Sequence, residues 1–557
     1  MDVVLVGLPG SGKSAVGRRL ARRHEADYVD LDETIETTAG ARIPEIFAEE
    51  GEAGFRARER AAVADLGAPD PDTRVRRVVS TGGGAIIDPR NRWRLYHGRL
   101  PVWLDVRPEV LAQRLRRSPN VRPLVAGRND PVATIRELAA ARDRFYRAAV
   151  RVSGTAEPTS VLAAVEAAVE AAAEADPATR PTRVLDAATP IGRLAIGERI
   201  AAAATAEALD RLGARRAIVI SEPNAAAALA DAVAAALEAG GRSVERLDLP
   251  TGESAKGLAV VETAARELAR RRVERGDPIV AVGGGALGDA AGFIAAIWLR
   301  GVALVQVPTT LVAQIDSAIG GKTAVDLPEG KNLVGAFHQP ASIVVDVGAL
   351  RSLPTRHRRA ALAEAVKMAV LGDERLFELL ETRGEAIAAG EAVAFEEGWI
   401  AELVERCAWA KVEVVVADER ETGADGGRIA LNLGHTIGHG LEAADGYASL
   451  LHGEAVAAGL RGAIRIGLAT GLTPPDRAVR IELLLDRLGL ATGPLDLAAA
   501  DVLAAMSRDK KHAAGRLRWV IPTAEAVVVR TDIPDALVAA VVAEVLAGAP
   551  ARVSADA

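Results

Sequence analysis

The chain has 557 residues, 49% hydrophobic and 26% charged, which is the composition of soluble globular domains and leads us to expect three or four compact units. Its formal net charge of −7 offers no bulk attraction for nucleic acid, so an anionic ligand must be held by local clusters. The single cysteine, Cys407, excludes an internal disulfide and fits a cytoplasmic setting. No apolar run reaches 18 residues, so no membrane span is expected, and "MDVVLVGLPG" reads as a strand and glycine loop rather than a leader. The cations are written almost wholly as arginine, 60 Arg against 8 Lys. Lysine is a compact point charge and arginine a planar fork, so the surviving lysines are candidates for chemistry.

In chain order, "DVVLVG", "RRVVSTGG" and "LPVWLDV" predict buried strands, and "GKSAVGRRLARRH" and "PEVLAQRLRRS" predict helices. That alternation implies an α/β fold with a parallel sheet and flanking helices over 1–175. "DPATRPTR" is the expected linker, 176–182. The alternation restarts with "RRAIVISEPN", "SVERLDLP", "PIVAVGGG" and "ALVQVPTT", giving a Rossmann-like α/β subdomain over 183–348. A mostly α-helical subdomain follows over 349–546, then a disordered tail over 547–557.

"GLPGSGKS", Gly7 to Ser14, lies between a predicted strand and helix and matches the P-loop pattern. There Gly10, Ser11, Gly12, Lys13, Ser14 and Ala15 are the expected nucleotide-phosphate contacts, with the Ser14 hydroxyl on Mg²⁺. No "NKxD" guanine-reading motif accompanies it. "YVDLDETIE" puts Asp30 and Asp32 at a strand end, "GFRARERA" supplies Arg56, and "STGGGA" makes a second glycine turn. "NVRPL" and "ARDRFY" add Arg122 and Arg142. Taken together these runs resemble shikimate kinase over about residues 1–170. The resemblance implies that Asp32, Arg56, Gly83 and Arg142 bind shikimate, that Arg122 is a catalytic lid residue over ATP, and that Ser14 and Asp30 serve Mg²⁺. Lys13 and Asp32 would be catalytic, Asp32 by accepting the proton of the attacking hydroxyl.

Further along, Gly283, Gly285 and Gly288 have G-x-G-x-x-G spacing, but the acid expected about twenty residues later is missing. His435, His439 and His452 fall within "LNLGHTIGHGLEAADGYASLLHGEAVAAG" and favour a metal. Local periodicity pairs His435 with His439, and "HTIGH" lacks the glutamate of a zinc peptidase. Glu364 in "LAEAVKMA" is the candidate carboxylate ligand.

With "GGGALGD", "PTTLVAQIDSAIGGKTAVDLPEGKNLVGAFHQP", "ADERETG" and "RDKK", this half resembles 3-dehydroquinate synthase over about residues 185–545. The resemblance moves the metal set to Glu364, His435 and His452, holding Zn²⁺ or Co²⁺, and turns His439 toward the substrate. It implies NAD⁺ contacts at Gly252, Glu253, Lys256, Gly285, Gly288, Asp289, Thr309, Thr310, Lys322 and Lys331. Asp316, Lys322, Asn332, Lys367, Lys411, Arg428, Asn432 and His439 would surround a seven-carbon keto acid phosphate. Arg300 would reach the substrate across a homodimer interface, and Lys510 or Lys511 would close on it. The implied enzyme is bifunctional, serving aromatic amino acid (chorismate) biosynthesis. One half phosphorylates shikimate with ATP and Mg²⁺. The other turns 3-deoxy-D-arabino-heptulosonate 7-phosphate into 3-dehydroquinate and phosphate. The alternatives are another sugar-phosphate cyclase, or a first half reduced to nucleotide sensing. Neither nucleic acid nor membrane is an expected partner.

Overall fold

The structure is a computed structural model, and it describes residues 1–70, 72–116, 130–174, 180–224, 226–421, 427–490, 493–512 and 517–548. Arg122, most of the expected linker and the tail from 549 lie outside the described residues, as do the side chains of Lys510 and Lys511. The chain forms two compact units, Met1–Ala188 with Arg193–Ile200, and Thr189–Gly192 with Ala201–Ala557.

The first unit has strands β1 (Asp2–Val6), β2 (Asp27–Asp30), β3 (Arg77–Ser80), β4 (Leu100–Asp105) and β5 (Val150–Ser153), in the order β2-β3-β1-β4-β5. All four pairings are parallel. A parallel sheet is covered on both faces, which is why "DVVLV" is apolar at every position after Asp2 and wholly buried. Its helices are α1 (Lys13–His24), α2 (Leu31–Ala39), α3 (Ile43–Ala64), α4 (Pro89–Tyr96), α5 (Pro108–Arg116), α6 (Pro131–Tyr146) and α7 (Pro158–Ala173). Val161, Val165 and Val169 sit at four-residue spacing on α7 and join Val3, Leu5, Val102, Val16 and Leu20 in one core. The order reverses at β1, which β3 and β4 flank, so the loop after β1 opens at the switch point where α/β folds bind ligands.

Strands β6 (Thr182–Thr189) and β7 (Gly192–Glu198) follow, most of their residues in the first unit. The expected start of the second half, 183, falls one residue inside β6.

The second unit holds β8 (Arg216–Ser221), β9 (Ser243–Asp248), β10 (Ile279–Gly283), β11 (Leu304–Pro308) and β14 (Ser342–Asp346), parallel in the order β14-β11-β10-β8-β9. Between β11 and β14 the chain makes an antiparallel hairpin of β12 (Lys322–Leu327) and β13 (Gly330–Phe337). Helices α8 (Ala201–Leu212), α9 (Ala226–Ala239), α10 (Leu258–Arg270) and α11 (Gly285–Ile297) accompany the sheet. Then come α12 (Thr355–Val370), α13 (Glu374–Ala389), α14 (Ala392–Glu396), α15 (Trp399–Ala417), α16 (His435–Ala444), α17 (His452–Ala469), α18 (Pro475–Arg487), α19 (Ala499–His512) and α20 (Asp535–Leu546). A hairpin of β15 (Trp519–Pro522) and β16 (Val527–Arg530) interrupts the helical part. α16, α17, α19 and α20 share a core of Ile437, Leu441, Ala455, Val502, Met506 and Val541. None of the described helices is long and apolar enough to cross a membrane.

Candidate functional site

In the first unit the loop Gly7–Gly12 leaves β1 and enters α1 at Lys13. Gly7, Gly10 and Gly12 have φ of 148°, 84° and 95°, and a Cβ on Gly7 would lie 2.9 Å from the Leu104 carbonyl, so this tight turn requires glycine. Its amides open onto a helix N-terminus, the ordinary seat of a phosphate. Lys13 Nζ donates to the Gly7 and Leu8 carbonyls at 2.9 and 3.1 Å, folded over the cradle it would serve. Ser14 Oγ donates to Asp30 Oδ2 at 2.7 Å, joining two side chains that suit Mg²⁺.

The second glycine turn brings the predicted acid-binding set together. A Cβ on Gly82 would stand 2.7 Å from Asp32 Oδ1, and one on Gly84 would stand 2.8 Å from the Arg56 guanidinium. Arg142 is buried and donates to the Gly83 carbonyl at 2.8 Å. Arg56 is oriented by Glu59 at 2.8 Å, a buried carboxylate the sequence reading did not select. Burial pushes the Glu59 carboxyl up, against the pull of Arg56. The structure thus gathers Asp30, Asp32, Arg56, Gly83 and Arg142 beside the P-loop lysine's end of the sheet.

The second unit has a cleft of about 2310 Å³ lined from both the sheet side and the helical side. Small-molecule sites usually occupy roughly 300–1,000 Å³, so this one has room for two ligands. Five lysines line it: Lys256, Lys322, Lys331, Lys367 and Lys411. Gly252, Glu253, Gly285, Asp289, Thr309, Thr310, Asp316, Asn332, Arg428, Asn432, His435, His439 and His452 also line it. Of the predicted set, Gly288, Arg300 and Glu364 do not. Gly288 lies within α11 against Gln306, and Arg300 lies in the turn after α11 at φ 69°.

At the sheet end, Lys256 Nζ donates to Asp289 Oδ2 at 2.8 Å and to Asn332 Oδ1 at 2.5 Å, tying the β12–β13 hairpin to α11. Burial pushes the Asp289 carboxyl up to about 6 although Lys256 opposes it. An acid that the glycine spacing does not point to comes from the neighbouring strand. Glu222, just beyond β8, accepts from the Gly252 and Gly284 amides at 3.0 and 3.2 Å and faces the cleft. Its sequence signal is an acid at the end of a buried strand, "AIVISE".

At the helical end, Glu364 on α12, His435 at the start of α16 and His452 at the start of α17 offer ligand atoms all within 4.8 Å of one another. Nε2 of each histidine lies 3.3 Å from Glu364 Oε1. The opposite ring nitrogens face acceptors, His435 Nδ1 the Leu433 carbonyl at 3.1 Å and His452 Nδ1 Glu442 Oε2 at 3.0 Å. In the neutral rings both Nδ1 atoms therefore carry the proton, and both Nε2 lone pairs point at a carboxylate. Lone pairs and a carboxylate that converge need a cation between them, so this donor set fits a divalent metal. His439 stands beside the cluster, its ring 5.3 Å from that of His435.

Between the two ends lie lysine, arginine and amide side chains of the predicted set. Lys411 Nζ donates to Asp316 Oδ1 at 2.7 Å, and Lys367 Nζ is 3.8 Å from the same oxygen. Burial lowers the Lys411 pKa against the pull of Asp316. Arg428 Nη2 donates to the Gly320 carbonyl at 3.1 Å, and Asn432 Nδ2 to Glu421 Oε1 at 2.8 Å. Lys322 meets the other Glu421 oxygen at 2.6 Å on the exposed rim.

Residues 9–173 match the family model for shikimate kinase, 246–360 that for 3-dehydroquinate synthase N-terminal, and 361–512 that for 3-dehydroquinate synthase C-terminal. A 3-dehydroquinate synthase of Symbiobacterium thermophilum is 44% identical over 327 residues, 58% of this chain and 89% of that protein. The chain belongs to the 3-dehydroquinate synthase family. It joins a shikimate kinase domain to that synthase, which makes it a bifunctional enzyme of the shikimate pathway. Among solved structures, 2-epi-5-epi-valiolone synthase of Streptomyces hygroscopicus with NAD⁺ and Zn²⁺ bound is similar at 26% identity. It covers 63% of this chain and 96% of its own, with a TM-score of 0.58. A 2-deoxy-scyllo-inosose synthase complexed with carbaglucose-6-phosphate, NAD⁺ and Co²⁺ is 25% identical, covers 66% and 100%, and has a TM-score of 0.58. These cyclases share the synthase architecture, but the higher identity to the dehydroquinate synthase does not favour reading this half as another cyclase.

Proposed function

We propose a specific division of labour among the residues of the two domains, with domain bounds at 1–175, 183–348 and 349–546. In the kinase domain, Lys13 and the loop from Gly10 to Ala15 hold the phosphates of ATP, and Ser14 with Asp30 orders Mg²⁺. Arg56, Arg142 and Gly83 hold shikimate, whose carboxylate suits arginine's planar fork. Asp32 accepts the proton of the attacking hydroxyl, and Arg122 covers the nucleotide.

In the synthase domain, NAD⁺ lies along Glu222, Gly252, Glu253, Lys256, Gly285, Gly288, Asp289, Thr309, Thr310 and Lys331. Glu364, His435 and His452 hold one divalent ion, Zn²⁺ or Co²⁺. When bound, the dinucleotide supplies reversible oxidation of an alcohol and the ion polarises oxygen as a Lewis acid. Lys322, Asn332, Lys367, Lys411, Arg428 and Asn432 bind the phosphate and carboxylate of 3-deoxy-D-arabino-heptulosonate 7-phosphate. Asp316 fixes Lys367 and Lys411 from one carboxylate, and His439 faces the reacting hydroxyls. Holding both ligands in one cleft supplies the orientation that a multistep reaction needs. The observation that carries this reading is the meeting of two imidazole lone pairs on Glu364 beside a cleft lined by five lysines.

A homodimer through the synthase half and a cytoplasmic location belong to the same reading. Exposed Ile297 and Leu299 beside Arg300 support the dimer, and sedimentation of the whole chain tests it.

The deciding experiment assays both activities on one sample. Chelation should abolish phosphate release until Zn²⁺ or Co²⁺ returns, while shikimate phosphorylation should recover with Mg²⁺ alone. His435→Ala and His452→Ala should lower bound metal, and His439→Ala should keep the metal and lose synthase activity. Phosphate release that survives complete metal removal would sink the metal assignment.

A further inference from the structure

We propose that Glu442 is a positioning residue that sets the tautomer of His452 and so prepares the metal site before any ion arrives. The inference rests on the metal reading of Glu364, His435 and His452. Glu442 lies on α16, seven residues after His435, so the two share a helical face, yet it acts on a histidine of another helix. Its side chain is 6% exposed. One carboxylate oxygen, Oε2, stands 3.0 Å from His452 Nδ1. The other, Oε1, stands 3.5 Å from Lys331 Nζ, whose ammonium also packs over the Tyr447 ring at 4.4 Å. The carboxylate is therefore contacted from both sides, by His452 and by Lys331.

An ionised carboxylate only accepts hydrogen bonds. Next to it, a neutral imidazole must carry its proton on Nδ1, which leaves the Nε2 lone pair facing Glu364 Oε1 at 3.3 Å. The other tautomer would set a lone pair against Glu442 and an N–H where the ion belongs. His435 receives the same orientation from a backbone carbonyl. At His452, the first residue of α17, a side chain does that work. Groups that hold the far nitrogen of a metal-binding histidine are typically worth about 10- to 100-fold in metal affinity.

The test titrates the chelator-stripped full chain with Zn²⁺ against a chromophoric competitor. Glu442→Met keeps the length and loses the acceptor, so zinc should bind about 10- to 100-fold more weakly. Glu442→Gln keeps a carbonyl oxygen toward Nδ1–H and should recover part of that loss. Melting of the stripped protein, followed by circular dichroism, should be alike in the two variants, which separates positioning from packing. Wild-type affinity in Glu442→Met would overturn the inference, as would equal losses in Met and Gln. Failure of the wild-type chain itself to bind zinc would overturn the metal reading instead.

Discussion

Each of the six lysines with a described side chain meets a carbonyl or carboxylate at the P-loop or in the cleft. Lys13 folds onto the loop carbonyls. Lys256, Lys322, Lys331, Lys367 and Lys411 each pair with an acid that also shapes the site. Arginine's longer planar fork would meet such acids from farther out than the compact ammoniums of Lys367 and Lys411, which share Asp316 Oδ1. Lys322 is the most exposed test of this idea, with 50% of its side chain open. Lys322→Arg keeps the charge, so the fold, the bound metal and the kinase rate should be unchanged. The longer planar group cannot occupy the ammonium's place on Glu421, and a misplacement of about 1 Å can cost about a hundredfold in rate. We expect synthase activity at saturating NAD⁺ to fall about that far. Arg270→Lys should be silent, since Arg270 is 70% exposed and meets Glu267 on its own helix. A near wild-type rate in Lys322→Arg would show that retention of lysine does not mark chemistry.

At the scale of elements, the parallel sheets were legible because a strand buried on both faces is a continuous apolar run, as in "VVLV" and "IVAVG". The β12–β13 and β15–β16 hairpins were not anticipated. The β12–β13 strands are half-buried and carry mixed residues, so "KTAVDLPEGKNLVGAF" reads first as a run of functional groups. Helical periodicity alone pairs His435 with His439, but the structure sets His452 Nε2 3.3 Å from Glu364 through contacts between helices, which no single-helix pattern encodes. Glycines permit those contacts. A Cβ on Gly459 of α17 would stand 1.8 Å from the Gly434 carbonyl ahead of α16, and one on Gly453 would stand 1.9 Å from the Ala360 carbonyl of α12. Both obstacles are backbone and cannot yield locally. Gly459→Ala should therefore force α17 away from α16, part His452 from His435, and destabilise this region by about 1–3 kcal/mol. Bound zinc and synthase activity should fall together while the kinase rate holds. Gly276→Ala, where a Cβ meets nothing within 4 Å, is the matched control. Full zinc content in Gly459→Ala would mean that helix packing does not set the ligand geometry.

For the whole molecule, two sets of candidate site residues on two compact units imply activities that can be parted, and the course of the chain at the junction says where. Residues 182–188 and 193–200 group with the first unit. Glu198, buried there, meets His97 Nε2 at 3.0 Å, and Arg180 donates to the Ala172 carbonyl near the end of α7 at 2.9 Å. A fragment of residues 1–179 keeps every kinase residue but loses both contacts, while a fragment of 1–200 keeps them. Each contact is worth about 1 kcal/mol. For a unit of this size two such losses lower Tm by about 4–8 °C. Both fragments should phosphorylate shikimate at rates near that of the full chain, with 1–179 melting lower by about that interval, and residues 180–557 should release phosphate unaided. The two measurements answer different questions. An inactive or insoluble 1–179 with a sound 1–200 would place the β6–β7 strands inside the kinase fold. Equal melting temperatures would show that the His97 and Arg180 contacts add nothing to it. The two enzymes in this chain do not act on consecutive compounds, since dehydroquinate must be dehydrated and reduced before the kinase can use it. Separable activities would therefore leave matched supply of two catalysts as the physical consequence of joining them, and a rate that depends on the joined chain would point to coupling between them.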